Sequence, residues 1–253
     1  LRDAWRFKPT HILLPEFSAV LRNAPALVLL RLLRVSVVLR VGNAPPPGRF
    51  YHFVWRWCVS PCVGQIVGNS RFIERELRAQ GVRASKVRHV YNAVPESSET
   101  AANGIRPVPG KLMFVGQVIP EKGLHVLLEA VSLLVQYGYD VVLDVAGELE
   151  GWVPPAYEGY RESLKERAEK NDLQGRIRFL GWRPDVDALL RSATVHCCPS
   201  LPEQREGAVN VVLEAENAAT PSVVFATASL PELISHREDG WICSDVSASA
   251  RTS

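Results

Sequence analysis

Apolar positions along this chain follow two rhythms: short continuous runs, and longer stretches with a helical period. HILL at 11–14, VSVVLRV at 35–41, LMFVG at 112–116, VVLDVAG at 141–147, IRFLG at 177–181, TVHCCP at 194–199 and SVVFA at 222–226 are short runs rich in aliphatic and β-branched residues. Their length and composition predict buried strands. Between them, 49–58, 70–80, 124–135, 157–171 and 185–191 carry the spacing or charge pattern of helices. A further helix is predicted to open in EGAVNVVLE at 206–214, and LPELI at 230–234 reads as the start of another. Strand and helix alternate from residue 112 onward, which predicts an α/β fold with a parallel, doubly wound sheet.

The rhythm breaks once in the interior. PESSETAANGIRPVPG at 95–110 is rich in Pro, Ser, Ala and Gly and has no apolar period, as expected of a linker. It predicts a first domain over 1–95, a linker over 96–110, a second domain over 111–243 and a polar tail over 244–253. In the first domain the apolar run 18–34 separates two strands, and KVRHVYNAV at 86–94 reads as a strand and turn.

Candidate chemistry gathers near the ends of the predicted strands. Glu206 and Glu214 stand eight positions apart, and a continuous helix would stack them one above the other at its N-terminus. A helix N-terminus collects unpaired N–H groups and the positive end of the macrodipole, so it takes phosphate. A nucleotide-linked sugar offers phosphate for the helix end and hydroxyls for two acids; the same spacing also arises by chance. Lys122 lies in the turn PEKG before a predicted helix, where an ammonium either reaches an anion at the sheet edge or is solvated. Strands closing on Gly116 and Gly181 would let a ligand approach the backbone.

Taken in order, VGQVIPEKGLHVLLEA, IRFLGWRPDVDALLRSA, PSLPEQREGAVNVVLEA and SLPELISHREDGWIC resemble the donor-binding domain of glycosyltransferase family 4, formerly called group 1. The likeness is strong over 85–243 and weaker over 1–95, and the ordered set is more specific than any one piece. It implies the GT-B fold, two Rossmann-like domains with parallel sheets, the N-terminal one incomplete and the chain truncated at both ends. It implies a retaining, hexosyl-type transfer, serving carbohydrate biosynthesis, from a nucleotide-diphosphate sugar to a glycan, lipid or small-molecule acceptor. No cofactor beyond that donor and no metal is expected. Two other readings remain: an epimerase of nucleotide-linked amino sugars with the same architecture, and an inactive nucleotide-binding fragment.

The resemblance also assigns roles. Glu206 would contact the transferred sugar and Glu214 the ribose hydroxyls. Backbone N–H groups at Asn210 and Val211, beside Gly207, would meet the diphosphate, and Lys122 would stabilise it as it leaves. Gly116, Gln117 and Gly181 would line the nucleotide site. The family's usual Gly-Arg pair is here Gly116-Gln117, which loses a phosphate cation. Its Gly-Gly before Pro-Glu is Ala228-Ser229, with Glu232 kept, and Gly42 and Asn43 stand where a His near the donor sugar is usual.

Composition changes this picture little. The chain has 253 residues, 47% of them hydrophobic, enough for one large core or two smaller ones. A net charge of +2 gives no nucleic-acid footprint. Basic residues in the first 90 positions are less offset by acids than later ones, which permits contact with an anionic membrane surface. Trp55 and Trp57 flank Arg56 and suit either a lipid interface or a core. The longest apolar run, 24–39, contains Arg31 and Arg34 and is too short and charged to span a bilayer. Five cysteines, an odd number, predict a reducing compartment. The corresponding expectation is a cytoplasmic protein, at the inner membrane face where contact occurs.

Overall fold

The computed structural model describes residues 7–95 and 104–244. The predicted tail beyond Ser244, and residues 96–103 of the predicted linker, lie outside these. The chain divides into two compact units: Leu1–Asn92 with Arg205–Ala208, and Ala93–Gln204 with Val209–Ser253.

In the first unit β1 (His11–Leu14), β2 (Ser36–Val41), β3 (Gln65–Gly68) and β4 (Val87–His89) form a parallel sheet in that order. The predicted apolar run 18–34 lies in α1 (Phe17–Leu32). Next come α2 (Arg49–Phe53), a π-helical stretch Val54–Val59, the short α3 (Ser60–Cys62) and α4 (Arg71–Ala79). Alternation along β2 turns Val37, Leu39 and Val41 inward, where they meet Val20, Leu27 and Leu30 of α1 and Ile73 and Leu77 of α4. Trp55 is buried and stacks on Phe17, with ring centroids 5.0 Å apart. Ser70 caps α4: its hydroxyl accepts the Ile73 N–H at 3.2 Å.

The second unit holds β5 (Lys111–Val115), β6 (Val142–Ala146), β7 (Ile177–Gly181), β8 (Val195–Cys198), β9 (Ser222–Phe225) and β10 (Gly240–Cys243). They lie in the order β7-β6-β5-β8-β9-β10, every neighbouring pair parallel. Helices α5 (Leu124–Gln136), α6 (Tyr160–Ala168), α7 (Val186–Arg191) and α8 (Asn210–Asn217) supply the crossovers. Parallel strands covered on both faces need apolar residues at successive positions. Accordingly Met113 and Phe114, adjacent on β5, belong to different clusters: Phe114 packs with Leu124, Leu128 and Leu143, Met113 with Leu190 and Ala215. Asp144 is the polar exception on β6, 2% exposed, held by Lys111 at 3.1 Å and Arg178 at 2.5 Å from the flanking strands.

Two expectations change. LPELI does not begin a helix but makes one 3-10 turn, Leu230–Glu232. Soon afterwards the backbone turns back: the Ser235 N–H donates to Asp239 Oδ1 and the Arg237 N–H to the Gly240 carbonyl. Strand β3 was not foreseen, and neither was β10. The latter is a short edge strand opening on Gly240, where a Cβ would come within 2.2 Å of the Ser222 carbonyl oxygen.

Candidate functional site

The second unit's strand order reverses between β5 and β8, and in open parallel sheets the crevice at the carboxyl ends of such strands receives the ligand. Here those ends are knitted by main-chain bonds. The Gly116 N–H donates to the Ala146 carbonyl at 3.0 Å, and the Gly147 N–H to the Gly181 carbonyl at 3.0 Å. A Cβ on Gly147 would approach the Gly116 carbonyl oxygen to 2.2 Å, so this edge is bare backbone because no side chain fits.

Beside that edge opens a cleft of about 630 Å³. Gly116 and Gln117 lie on its wall, as does Trp182, the neighbour of Gly181, with Trp152, Tyr157, Arg161 and Arg183. The last four were missed by sequence reasoning. For the first three the signal was an unusually long connection after β6, punctuated by Gly151, Pro154, Pro155 and Gly159, whereas Arg183 lies in the turn after β7. Arg183 is held by Asp185 through two bonds, 2.7 and 2.6 Å. Arg161 donates to the Glu150 carbonyl at 2.8 Å and has no carboxylate partner among the described residues. It is therefore the more available cation for an anion in the cleft.

Lys122 ends the 3-10 turn Pro120–Lys122, and Gly123, left-handed at φ 71, leads into α5. The turn is braced twice. The Leu201 N–H donates to the Glu121 carbonyl at 2.8 Å, tying the loop after β8 to the loop after β5. Tyr157 donates its hydroxyl to Glu121 Oε1 at 2.5 Å, and this bond pushes the phenol's pKa upward. Lys122 thus sits at the strand-order reversal.

Helix α8 begins at Asn210, and its N-cap residue, Val209, makes no side-chain cap. Asn210 is exposed and Val211 half-buried. Glu214 is half-buried, with no side-chain partner among the described residues, and burial raises its carboxyl pKa. Glu206 is not part of this helix, which corrects the expectation of two acids stacked on one helical face. Residues 205–208 instead group with the first unit, where Glu206 forms an antiparallel bridge with Asn43. The Ala44 N–H donates to the Arg205 carbonyl at 2.9 Å, the Gly207 N–H to the Gly42 carbonyl at 2.8 Å, and Arg205 pairs with Glu76 at 2.6 Å. A Cβ on Gly207 would fall 1.7 Å from the Asn69 side-chain amide, so this extended segment requires glycine there.

Among the described residues no group of three or more His, Cys, Asp or Glu side chains is placed to hold a metal. No helix among them is long and apolar enough to cross a membrane.

An all-parallel sheet with reversed strand order and a glycine-edged cleft is the arrangement of a nucleotide-binding α/β protein. The family model of glycosyl transferases group 1 matches residues 96–251, and the chain belongs to this family. It is 26% identical over 189 residues to the amylovoran biosynthesis glycosyltransferase AmsK of Erwinia amylovora, a match covering 72% of this chain and 44% of AmsK. Its fold is similar to that of a glycosyltransferase from Rickettsia africae, with TM-score 0.78, 13% identity and coverage of 98% of this chain and 66% of the other. It is also similar to HepE of Anabaena in complex with UDP, with TM-score 0.71, 19% identity and coverage of 88% and 63%. The fold class is that of GT-B glycosyltransferases, with α/β units built on parallel sheets. The chain spans less than half the length of AmsK and under two thirds that of HepE.

Proposed function

We propose that this chain binds a nucleotide-diphosphate sugar and serves its transfer, with retention of anomeric configuration, to a glycan, lipid or small-molecule acceptor. The observation that carries this reading is the reversal of strand order at β5 and β8, with Lys122 in the braced turn beside it and a glycine-edged cleft next to it. In the proposal the nucleotide lies along Gly116, Gln117 and Gly181. The N–H groups of Asn210 and Val211 at the start of α8, with Gly207 before them, take the diphosphate, and Lys122 compensates the charge it gathers on leaving. Glu214 accepts from the ribose hydroxyls and Glu206 from the transferred sugar. The departing phosphate assists in removing the acceptor's proton, so positioning and electrostatics carry catalysis without a metal. Work on a nucleotide-activated donor fits a cytoplasmic location. HepE's complex with UDP supports a nucleoside diphosphate as the ligand.

Calorimetric titration of the chain with UDP and with GDP tests this. One nucleotide should bind, and binding should weaken in both Lys122→Ala and Glu214→Ala. Failure of both nucleotides to bind would overturn the reading. In a transfer assay Glu206→Ala should abolish turnover while nucleotide binding persists.

A further inference from the structure

We infer that the first unit docks on an anionic phospholipid surface through the outer face of α2 and the π-helical stretch that follows it. The inner face of this segment is ordinary core: Trp55 and Val59 are buried. Its outer face is not ordinary. Phe50, Phe53 and Trp57 are 70%, 57% and 61% exposed, an aromatic cluster on the side where an amphipathic helix normally carries polar residues. Arg49 and Arg56 are exposed among them, and the Arg56 guanidinium lies 5.2 Å from the centre of the Trp57 ring. Aromatic rings beside arginine suit the boundary between headgroups and acyl chains, where the rings enter the apolar layer and the guanidinium meets phosphate.

Charge fixes the kind of partner. No aspartate or glutamate occurs between Glu16 and Glu74, while arginines stand at 22, 34, 40, 49, 56 and 71 among others. The first acids that follow are already engaged: Glu74 pairs with Arg78 and His89, and Glu76 with Arg205. A negative surface therefore meets no opposing carboxylate along this segment. A second copy of the chain is disfavoured by the same charges, because a two-fold contact through this patch would bring its arginines together. Beside the patch runs a groove of about 630 Å³ lined by Arg49, His52, Phe53, Trp57 and Gln80. Gln80 is 6% exposed, and its Oε1 has no partner among the described residues. Arg49 offers donors to a headgroup phosphate, and Gln80 an acceptor to a headgroup hydroxyl.

The proposal stands apart from the nucleotide reading and is tested without nucleotide. The chain is sedimented with vesicles of phosphatidylcholine alone, or of phosphatidylcholine mixed with phosphatidylglycerol, at low and high salt. It should pellet with the mixed vesicles only, and less at high salt. Soluble glycerol phosphate should not displace it. Arg49→Gln with Arg56→Gln should weaken partition roughly thirtyfold, from about 1 kcal/mol per basic residue at an anionic surface. Phe50→Ser with Phe53→Ser and Trp57→Ser should weaken it at least as much. Circular dichroism and the thermal midpoint verify that each variant is folded, and the arginine pair alone decides the matter should the aromatic variant not fold. Equal binding to neutral vesicles, no binding to either, or unchanged partition of the folded arginine variant would overturn the proposal. So would self-association without vesicles that is lost in the aromatic variant, since the patch would then belong to a second copy.

Discussion

Tyr157 donates its phenolic hydroxyl to Glu121 at 2.5 Å, which joins the loop after β6 to the turn that presents Lys122. Among the described residues Glu121 Oε2 is buried without a partner, and Tyr157 meets the carboxylate's other oxygen. Tyr157→Phe should lower stability by about 1 kcal/mol in urea titrations. If the turn positions Lys122, it should also weaken nucleotide binding more than binding of the free nucleoside.

Gly123 carries the left-handed residue between the Lys122 turn and α5, and a Cβ there would stand 2.0 Å from the Pro199 carbonyl oxygen. Backbone strain and that contact act together. Gly123→Ala should cost on the order of 2 kcal/mol. Gly138→Ala is the control: that glycine is also left-handed, but open space surrounds its Cβ. It should cost less by the amount due to the contact, read as the difference in thermal midpoint.

His196 is fully buried in β8 beside Ser222, and burial pushes its imidazole down from 6.5 to about 4. Between those values the unfolded chain takes up a proton that the native chain does not. Stability should therefore be intact above pH 6.5 and fall as pH drops toward 4, by up to about 1.4 kcal/mol per pH unit. Glu214, with its carboxyl raised above 4.5, acts in the opposite direction just above that pH, because the native state there binds the proton more readily. The fall should be steeper in Glu214→Gln and shallower in His196→Gln, as measured by chemical denaturation across pH.

All five cysteines are free, and only Cys58 is exposed. Burial pushes the Cys197 thiol up to about 12 and also raises Cys243. An aromatic disulfide reagent at mildly alkaline pH should titrate one thiol rapidly, and Cys58→Ser should remove that phase. Rapid reaction of Cys197 or Cys198 would show that the sheet opens there.

Much of the second unit was legible in the chain because its strands are covered on both faces. Continuous runs such as LMFVG and VVLDVAG are distinctive, and the strand-turn-helix spacing around Lys122 is a local property of PEKG. β10 was illegible because a four-residue edge strand beginning with Gly has little pattern of its own and exists only by pairing with β9. LPELI misled because its apolar residues pack around a single turn: Leu230 and Ile234 enter the cluster with Val212 and Val224 without a helix between them.

The candidate site divides in the same way. Spacing and turn position suggested Glu206, Glu214, Lys122 and the glycines at the strand ends, and the resemblance to the glycosyltransferase family gave them roles, since each belongs to a short contiguous motif. Sequence could not reveal that Glu206 leaves the helix, because what holds it extended is pairing with Gly42, Asn43 and Ala44, more than 150 positions earlier in the chain. It likewise could not gather Trp152, Tyr157, Arg161 and Arg183 with Gly116 around one cleft. The alternation of strands and helices and the local chemistry of each turn could be read along the chain, because hydrophobic period and glycine backbone freedom act over a few residues. Which turns become neighbours emerges from the folded chain, because strand order and long-range main-chain pairing depend on how the whole chain buries its apolar faces.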